Sequence, residues 1–323
     1  MKAAVLHHFG RAPRYEDFPD PALEHGELAL RVRAVALENV DKAMARGSHF
    51  AARQFLPHLP AIVGSDGIGM LEDGRLVGFG GVRPPYGSMA EMAPIPSTHV
   101  VPVPDGVDAA TAAAVPRSAL TSLFPLKWGV KLQPDETVLV NGATGFAGKL
   151  AVQVAKLLGA KRVIATGRNA VSLRALPGLG ADVVIDLKQP DKQLAEAFAR
   201  EAGTSGYDVI LDFLWGRPTE LLLAALVPHE LGFARRKVRL VQIGEAAGQR
   251  IALPADALRT SGLEITGAGG GLTPEAVAQG TSQVWEWIAA GKLKADIEQV
   301  PLKEIERAWK RTDLHGARIV VVP

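Results

Sequence analysis

The residues Asn141-Gly142-Ala143-Thr144-Gly145-Phe146-Ala147-Gly148 close an apolar run, Thr137-Val138-Leu139-Val140, and open directly into an amphipathic stretch from Lys149. A strand that ends in a glycine-rich turn and passes straight into a helix aims backbone N–H groups and the positive helix end at an anion. Glycine alone lets the chain come close to a diphosphate there. The pattern is Ala143-x-Gly145-x-x-Gly148 with Gly142 ahead of it, so context carries the reading: strand before, helix after, and a second strand about twenty residues on. A tight turn that needs glycine only for its dihedral angles is the alternative.

That second strand ends Ala165-Thr166-Gly167-Arg168-Asn169. Where a site for NAD carries a carboxylate for the ribose hydroxyls, this chain has Gly167 with Arg168 beside it. A carboxylate would repel a 2′-phosphate, whereas a guanidinium pairs with one through two parallel hydrogen bonds, and the Asn169 amide can add a neutral one. The cofactor these residues fit is NADPH. Arg168 as a solvated loop charge is the alternative.

The elements that must position these groups follow from periodicity. From Glu136 onward apolar strands alternate with helical stretches, at Thr137 to Asn141, Arg162 to Thr166, Asp182 to Ile185, Asp208 to Asp212, Val238 to Ile243 and Leu263 to Thr266. This spacing predicts a doubly wound parallel sheet covered on both faces, a Rossmann-type α/β fold. Leu150, Val154, Leu157 and Leu158 lie at helical spacing and read as core. Residues 1 to about 117 are rich in Pro and Gly, with short strand-like pieces, and read as mostly β. The tail after 270 does not extend the six-strand series. The expected division is therefore 1–117 with 271–323 in one discontinuous domain and 118–270 in the other.

Composition narrows the chemistry. The 323 residues contain no cysteine, which removes disulfides, thiolate nucleophiles and Cys-rich zinc sites. Thirty-six basic residues against 34 acidic leave +2, so nucleic acid is not implied as a partner. No apolar segment approaches the ~18 to 20 residues of a membrane span, and Met1 to His8 reads as a strand rather than a signal peptide. The expected location is the cytoplasm.

Several further segments carry a resemblance. Met1-Lys2-Ala3-Ala4-Val5, Leu59-Pro60-Ala61-Ile62-Val63-Gly64-Ser65-Asp66-Gly67-Ile68-Gly69, Gly87-Ser88-Met89-Ala90-Glu91, Ala113-Ala114-Val115-Pro116, Leu120-Thr121-Ser122 and Gly316-Ala317-Arg318-Ile319-Val320-Val321 flank the glycine-rich turn in order. Together they resemble the medium-chain dehydrogenase/reductase superfamily over nearly the whole chain, which implies a GroES-like catalytic domain beside the Rossmann domain. The zinc alcohol dehydrogenases of that superfamily hold a metal with Cys and a His-Glu pair. Here the His-Glu position resembles Ser65-Asp66, and Leu37-Glu38-Asn39-Val40-Asp41 occupies the region of the first Cys ligand. The eight histidines, at 7, 8, 25, 49, 58, 99, 229 and 315, lack ligand spacing and read as surface or packing residues, so no metal is expected.

What is left resembles the zinc-independent quinone oxidoreductases. The resemblance implies an NADPH-dependent reductase acting on a small electrophile, a quinone or an α,β-unsaturated carbonyl compound. It implies cofactor contacts from Thr121, Gly142, Ala143, Thr144, Gly145, Phe146, Ala147, Gly148, Gly167, Arg168, Asn169, Gly244 and Arg318. It also implies a substrate pocket drawing on Glu38, Asn39, Tyr86, Arg117 and Trp215. Tyr86 is the candidate acid, a phenol beside the Gly87-Ser88 turn. In that family the loop matching Glu38 to Asp41 often begins with Asn and is followed by a pocket Tyr, whereas here Glu38 and Ala43 stand in those places.

An enoyl-thioester reductase of the same architecture is the second enzymatic reading, for which Arg235-Arg236-Lys237 could supply charge to a carrier phosphate. An NADPH-binding redox sensor or structural protein is the reading from another class. The apolar last strand, Leu263 to Gly267, is expected to pair with its copy in a homodimer.

Overall fold

The computed structural model describes residues 1–203, 206–227, 236–270 and 272–323. These form two compact units. One comprises Met1–Pro116, Ile288–Ala290 and Ala295–Pro323, and the other Arg117–Trp287 and Gly291–Lys294.

The second unit is built on six parallel strands in the spatial order Val183–Asp186, Arg162–Gly167, Thr137–Asn141, Val209–Asp212, Val238–Gln242 and Leu263–Gly267. Numbered along the chain, that order is 3-2-1-4-5-6, the doubly wound arrangement, and it reverses direction at the first strand. The strands are short apolar runs because helices cover both faces: Val209–Asp212 is buried throughout, and Thr137–Asn141 is buried from Val138 on. The helix Phe146–Leu157 buries Leu150, Val154 and their neighbours against the sheet. The strand ends differ from the periodicity by a residue, as with Gly167, which pairs in register with Asp186 and so belongs to the second strand.

The first unit is antiparallel. The strand Glu27–Ala36 alternates inward Leu30, Val32 and Ala34 with outward Ala29, Arg31 and Arg33, the signature of a sheet wet on one side. It pairs with Asp66–Met70, Met92–Pro96 and Arg318–Val322, and Ile297–Pro301 lies parallel to the last of these. Leu30, Met89, Ile95, Ile305, Ile319 and Val321 form the centre of its core.

The tail departs from the expected boundary. Its two strands join the first unit, but the helix Pro274–Ala289 belongs to the second unit as far as Trp287. The reason is packing: Gly280 lies so close to the Phe124 ring that a Cβ there would come within 2.5 Å of Phe124 Cε1. The chain therefore joins the first unit briefly at Ile288–Ala290 and for good from Ala295, rather than from 271.

Candidate active site

The turn after Thr137–Asn141 lies at the carboxyl edge of the second unit's sheet, beside the point where strand order reverses. Gly142 sits at φ 97°, a conformation that glycine supplies without strain. Its N–H donates to Thr166 Oγ1 at 3.0 Å, and the Ala143 N–H donates to the Thr166 carbonyl at 2.7 Å. A Cβ on Gly148 would fall 2.3 Å from the Gly142 carbonyl oxygen, so the helix packs on the strand end only because that position is glycine. A Cβ on Gly145 would meet nothing nearer than the same oxygen at 3.8 Å. Gly145 is exposed and caps the N-terminus of Phe146–Leu157, with Thr144 half-buried ahead of it, Phe146 buried behind it and Ala147 half-buried. Space at the middle glycine, tight packing at the last and the helix N-terminus facing the space fit a dinucleotide diphosphate.

At the end of the second strand, a Cβ on Gly167 would run into Thr144 Cγ2 at 2.1 Å. The residue is glycine because the neighbouring turn occupies the space of a side chain. Arg168 is exposed and forms no ion pair among the described residues, so its guanidinium is open to a phosphate. The Asn169 Oδ1 accepts the Ser172 N–H at 2.9 Å and caps the helix Ala170–Ala175, a bond that uses the acceptor of the amide and not the Nδ2 donor expected to face the cofactor. Sequence reasoning missed Asp186, which faces Gly167 across the ladder and whose Oδ1 accepts the Lys188 N–H at 2.9 Å.

Other expected residues of this unit have plain local roles. The Thr121 hydroxyl donates to the Ser118 carbonyl at 2.7 Å within the helix Ala109–Phe124. Arg117, in the same helix, is exposed. Gly244 packs against the Phe213 carbonyl, where a Cβ would come within 2.7 Å. Trp215 takes φ 54° and is half-buried, packing against the core of the unit. Of the run Arg235 to Lys237, Arg236 pairs with Asp208 at 3.7 Å and Lys237 with Glu264 at 2.6 Å; Arg235 and His229 lie outside the described residues.

In the first unit, a slot is walled by Val40, Met44, Phe55, Leu56, Val82 and the Tyr86 ring, with Asp41 and Ser65 as its polar groups. The Ser65 hydroxyl donates to Asp66 Oδ1 at 3.1 Å. Met44, Phe55 and Ser65 were not foreseen as lining, because three separate stretches of chain bring them together. The Tyr86 hydroxyl points elsewhere: it donates to the Asp20 carbonyl at 3.3 Å while its ring packs edge-on against Phe18. Glu38 and Asn39 do not line the slot. Glu38 is buried, forms a reciprocal capping box with Asp41 on the helix Asn39–Arg46, and lies 3.5 Å from Arg318, while Asn39 is exposed. Arg318 also donates to the Leu37 carbonyl at 3.1 Å, which ties the last strand to this corner.

A doubly wound sheet with a glycine-rich turn at its reversal point is the arrangement of a dinucleotide-binding domain. A family model described as zinc-binding dehydrogenase matches residues 147–289. A probable NADPH-dependent quinone reductase of Emericella nidulans is 27% identical over 96% of this chain and 96% of its own length. A quinone oxidoreductase of Pseudomonas aeruginosa is 27% identical over 94% and 92%. The crystal structure of the Thermus thermophilus quinone oxidoreductase, described with its NADPH complex, superposes with a TM-score of 0.79 at 29% identity, covering 100% of both chains. The chain is similar over nearly its whole length to the quinone oxidoreductase-like group of the medium-chain dehydrogenase/reductase superfamily.

Proposed function

We propose that this protein is an NADPH-dependent oxidoreductase that reduces quinones or α,β-unsaturated carbonyl compounds without a metal. The observation that carries the cofactor is the geometry at Gly145 and Arg168: space for a diphosphate at the helix N-terminus, and an exposed guanidinium in place of a carboxylate. Bound NADPH supplies a hydride to an electrophilic carbon. The chain's own part is to hold and orient. Gly142 to Gly148 with Thr144 take the diphosphate, Gly167 and Arg168 take the adenosine 2′-phosphate, and the apolar slot beside Tyr86 takes a neutral acceptor and sheds water.

An acceptor polarised by its own conjugation needs no Lewis acid, which suits a chain with Ser65-Asp66 where the zinc enzymes have His-Glu. The Tyr86 hydroxyl donates to the Asp20 carbonyl at 3.3 Å, and we assign the proton for the product oxygen to water. The apolar slot and the ion-paired Arg236 and Lys237 favour a quinone or enone over a carrier-bound thioester. The same reading makes the protein a cytoplasmic homodimer joined along Leu263–Gly267, an edge strand exposed from Glu264 onward.

The test is NADPH oxidation with 1,4-benzoquinone, 9,10-phenanthrenequinone and 1-octen-3-one. Turnover of at least one of the three is expected. Tight NADPH binding with no oxidation by any of them would replace the enzyme with a sensor.

A further inference from the structure

One carboxylate in the second unit is fully buried and has no place in the chemistry so far. Asp212 ends the strand Val209–Asp212, the partner of the first strand at the point of reversal. Its Oδ1 accepts from Asn141 Nδ2 at 3.0 Å, from the Leu214 N–H at 3.0 Å and from the Trp215 N–H at 3.1 Å, and its Oδ2 accepts the Thr219 hydroxyl at 2.7 Å. Its backbone carbonyl accepts the N–H groups of Ile243 at 2.8 Å and Gly244 at 3.1 Å.

A second chain of bonds leads away from it. The Gly142 N–H donates to Thr166 Oγ1, the Thr166 hydroxyl donates to Asn141 Oδ1 at 2.8 Å, and Asn141 donates to Asp212. Every donor in this series points the same way, and the carboxylate is its end. Asp212, Asn141, Thr166 and Thr219 are all buried. Burying a charge costs several kcal/mol unless hydrogen bonds satisfy its lone pairs, and here four donors do so. The loops it joins also touch directly, since a Cβ on Gly142 would fall 2.9 Å from Leu214 Cδ2.

We propose that Asp212 is a positioning residue for the nucleotide, holding the diphosphate turn at Gly142 and the loop from Phe213 to Gly216 in one fixed arrangement. The inference rests on the NADPH reading. It adds that cofactor affinity, and not stability alone, depends on a carboxylate that never touches the cofactor. A carboxamide at 212 carries no charge and keeps one acceptor oxygen: with that oxygen toward Asn141, Leu214 and Trp215, its NH2 group replaces the acceptor of the Thr219 hydroxyl, and the charge-assisted bonds to both loops weaken.

The experiment compares Asp212→Asn, Thr166→Val and a core control, Leu194→Ala, by melting temperature, NADPH Kd and amide hydrogen exchange without cofactor. Asp212→Asn should raise Kd about tenfold and speed exchange at Gly142, Leu214 and Trp215. Thr166→Val should raise Kd and speed exchange at Gly142 alone. Leu194→Ala should lower the melting temperature and leave Kd unchanged. An Asp212→Asn protein that folds and binds NADPH within twofold of wild type would overturn the proposal, as would a control that weakens binding equally. If Asp212→Asn does not fold, Thr166→Val decides by the same Kd criterion. If wild type binds no NADPH, the cofactor reading itself fails, and unchanged exchange at Gly142 in Asp212→Asn would overturn the coupling as well.

Discussion

Arg168 and Gly167 sit side by side, yet they contribute to cofactor choice in different ways. Arg168 is an exposed charge, and a charge-assisted contact with a 2′-phosphate changes affinity by about ten- to a hundredfold. Arg168→Ala should therefore weaken NADPH by that factor in kcat/KM and leave NADH nearly unchanged, and rising salt should erode the wild-type preference. Equal losses for both cofactors would make the residue structural. Gly167 is held by sterics. An aspartate there, which charge alone says would turn the enzyme toward NADH, would first drive its Cβ into Thr144. The expected result of Gly167→Asp is poor use of both cofactors, and a clean switch to NADH would show that Thr144 yields. For Tyr86 the hydroxyl already donates to Asp20, so Tyr86→Phe should keep kcat within about threefold. A general acid is worth about 10²- to 10⁴-fold, so a loss of that size would return the phenol to catalysis.

The elements divide into those whose burial is complete and those left with an open side. Leu263–Gly267 ends the six-stranded sheet with its outer ladder unpaired among the described residues, and Ile265 is 36% exposed on it. Self-pairing about a two-fold axis would close that edge. Light scattering should show two chains for the wild type and one for Ile265→Lys, whose charge would oppose its copy; a wild-type monomer at micromolar concentration would remove the dimer. At the opposite extreme, Tyr207 is fully buried beside the helix Asp191–Ala202, and its hydroxyl donates to the Phe198 carbonyl at 2.6 Å. Burial pushes its pKa well above the usual value near 10. The native state therefore keeps the proton after the unfolded chain has lost it. The stability this gives is complete below pH 10 and drains away as pH rises through the native pKa, by at most about 1.4 kcal/mol per pH unit. Urea midpoints between pH 9 and 11 should fall more steeply for wild type than for Tyr207→Phe, and parallel slopes would refute the assignment.

Across the whole molecule, what the sequence disclosed was whatever is local. Six apolar runs and the Gly142 to Gly148 turn foretold the parallel sheet and its phosphate edge, because buried parallel strands and close backbone approach leave their mark on consecutive residues. Partners distant in sequence left no such mark. Asn141 meets Asp212 across 71 residues, and nothing in either segment names the other. The Asn169 cap on Ser172 spans three residues and uses the amide oxygen, a role that composition does not separate from a phosphate contact through Nδ2. The Glu38 and Asp41 capping box was hidden by a resemblance that marked that loop as pocket. Metal chemistry is the one property here argued from the entire chain. Cysteine is absent throughout, and among the described residues no three of His, Asp and Glu converge as ligands would, while the proposed acceptor carries its own polarisation. Prolonged EDTA treatment should accordingly leave NADPH-dependent turnover unchanged, and added zinc should not raise it. Activity that vanished on chelation and returned with zinc would place a ligand set where Ser65-Asp66 and Leu37 to Asp41 now argue against one.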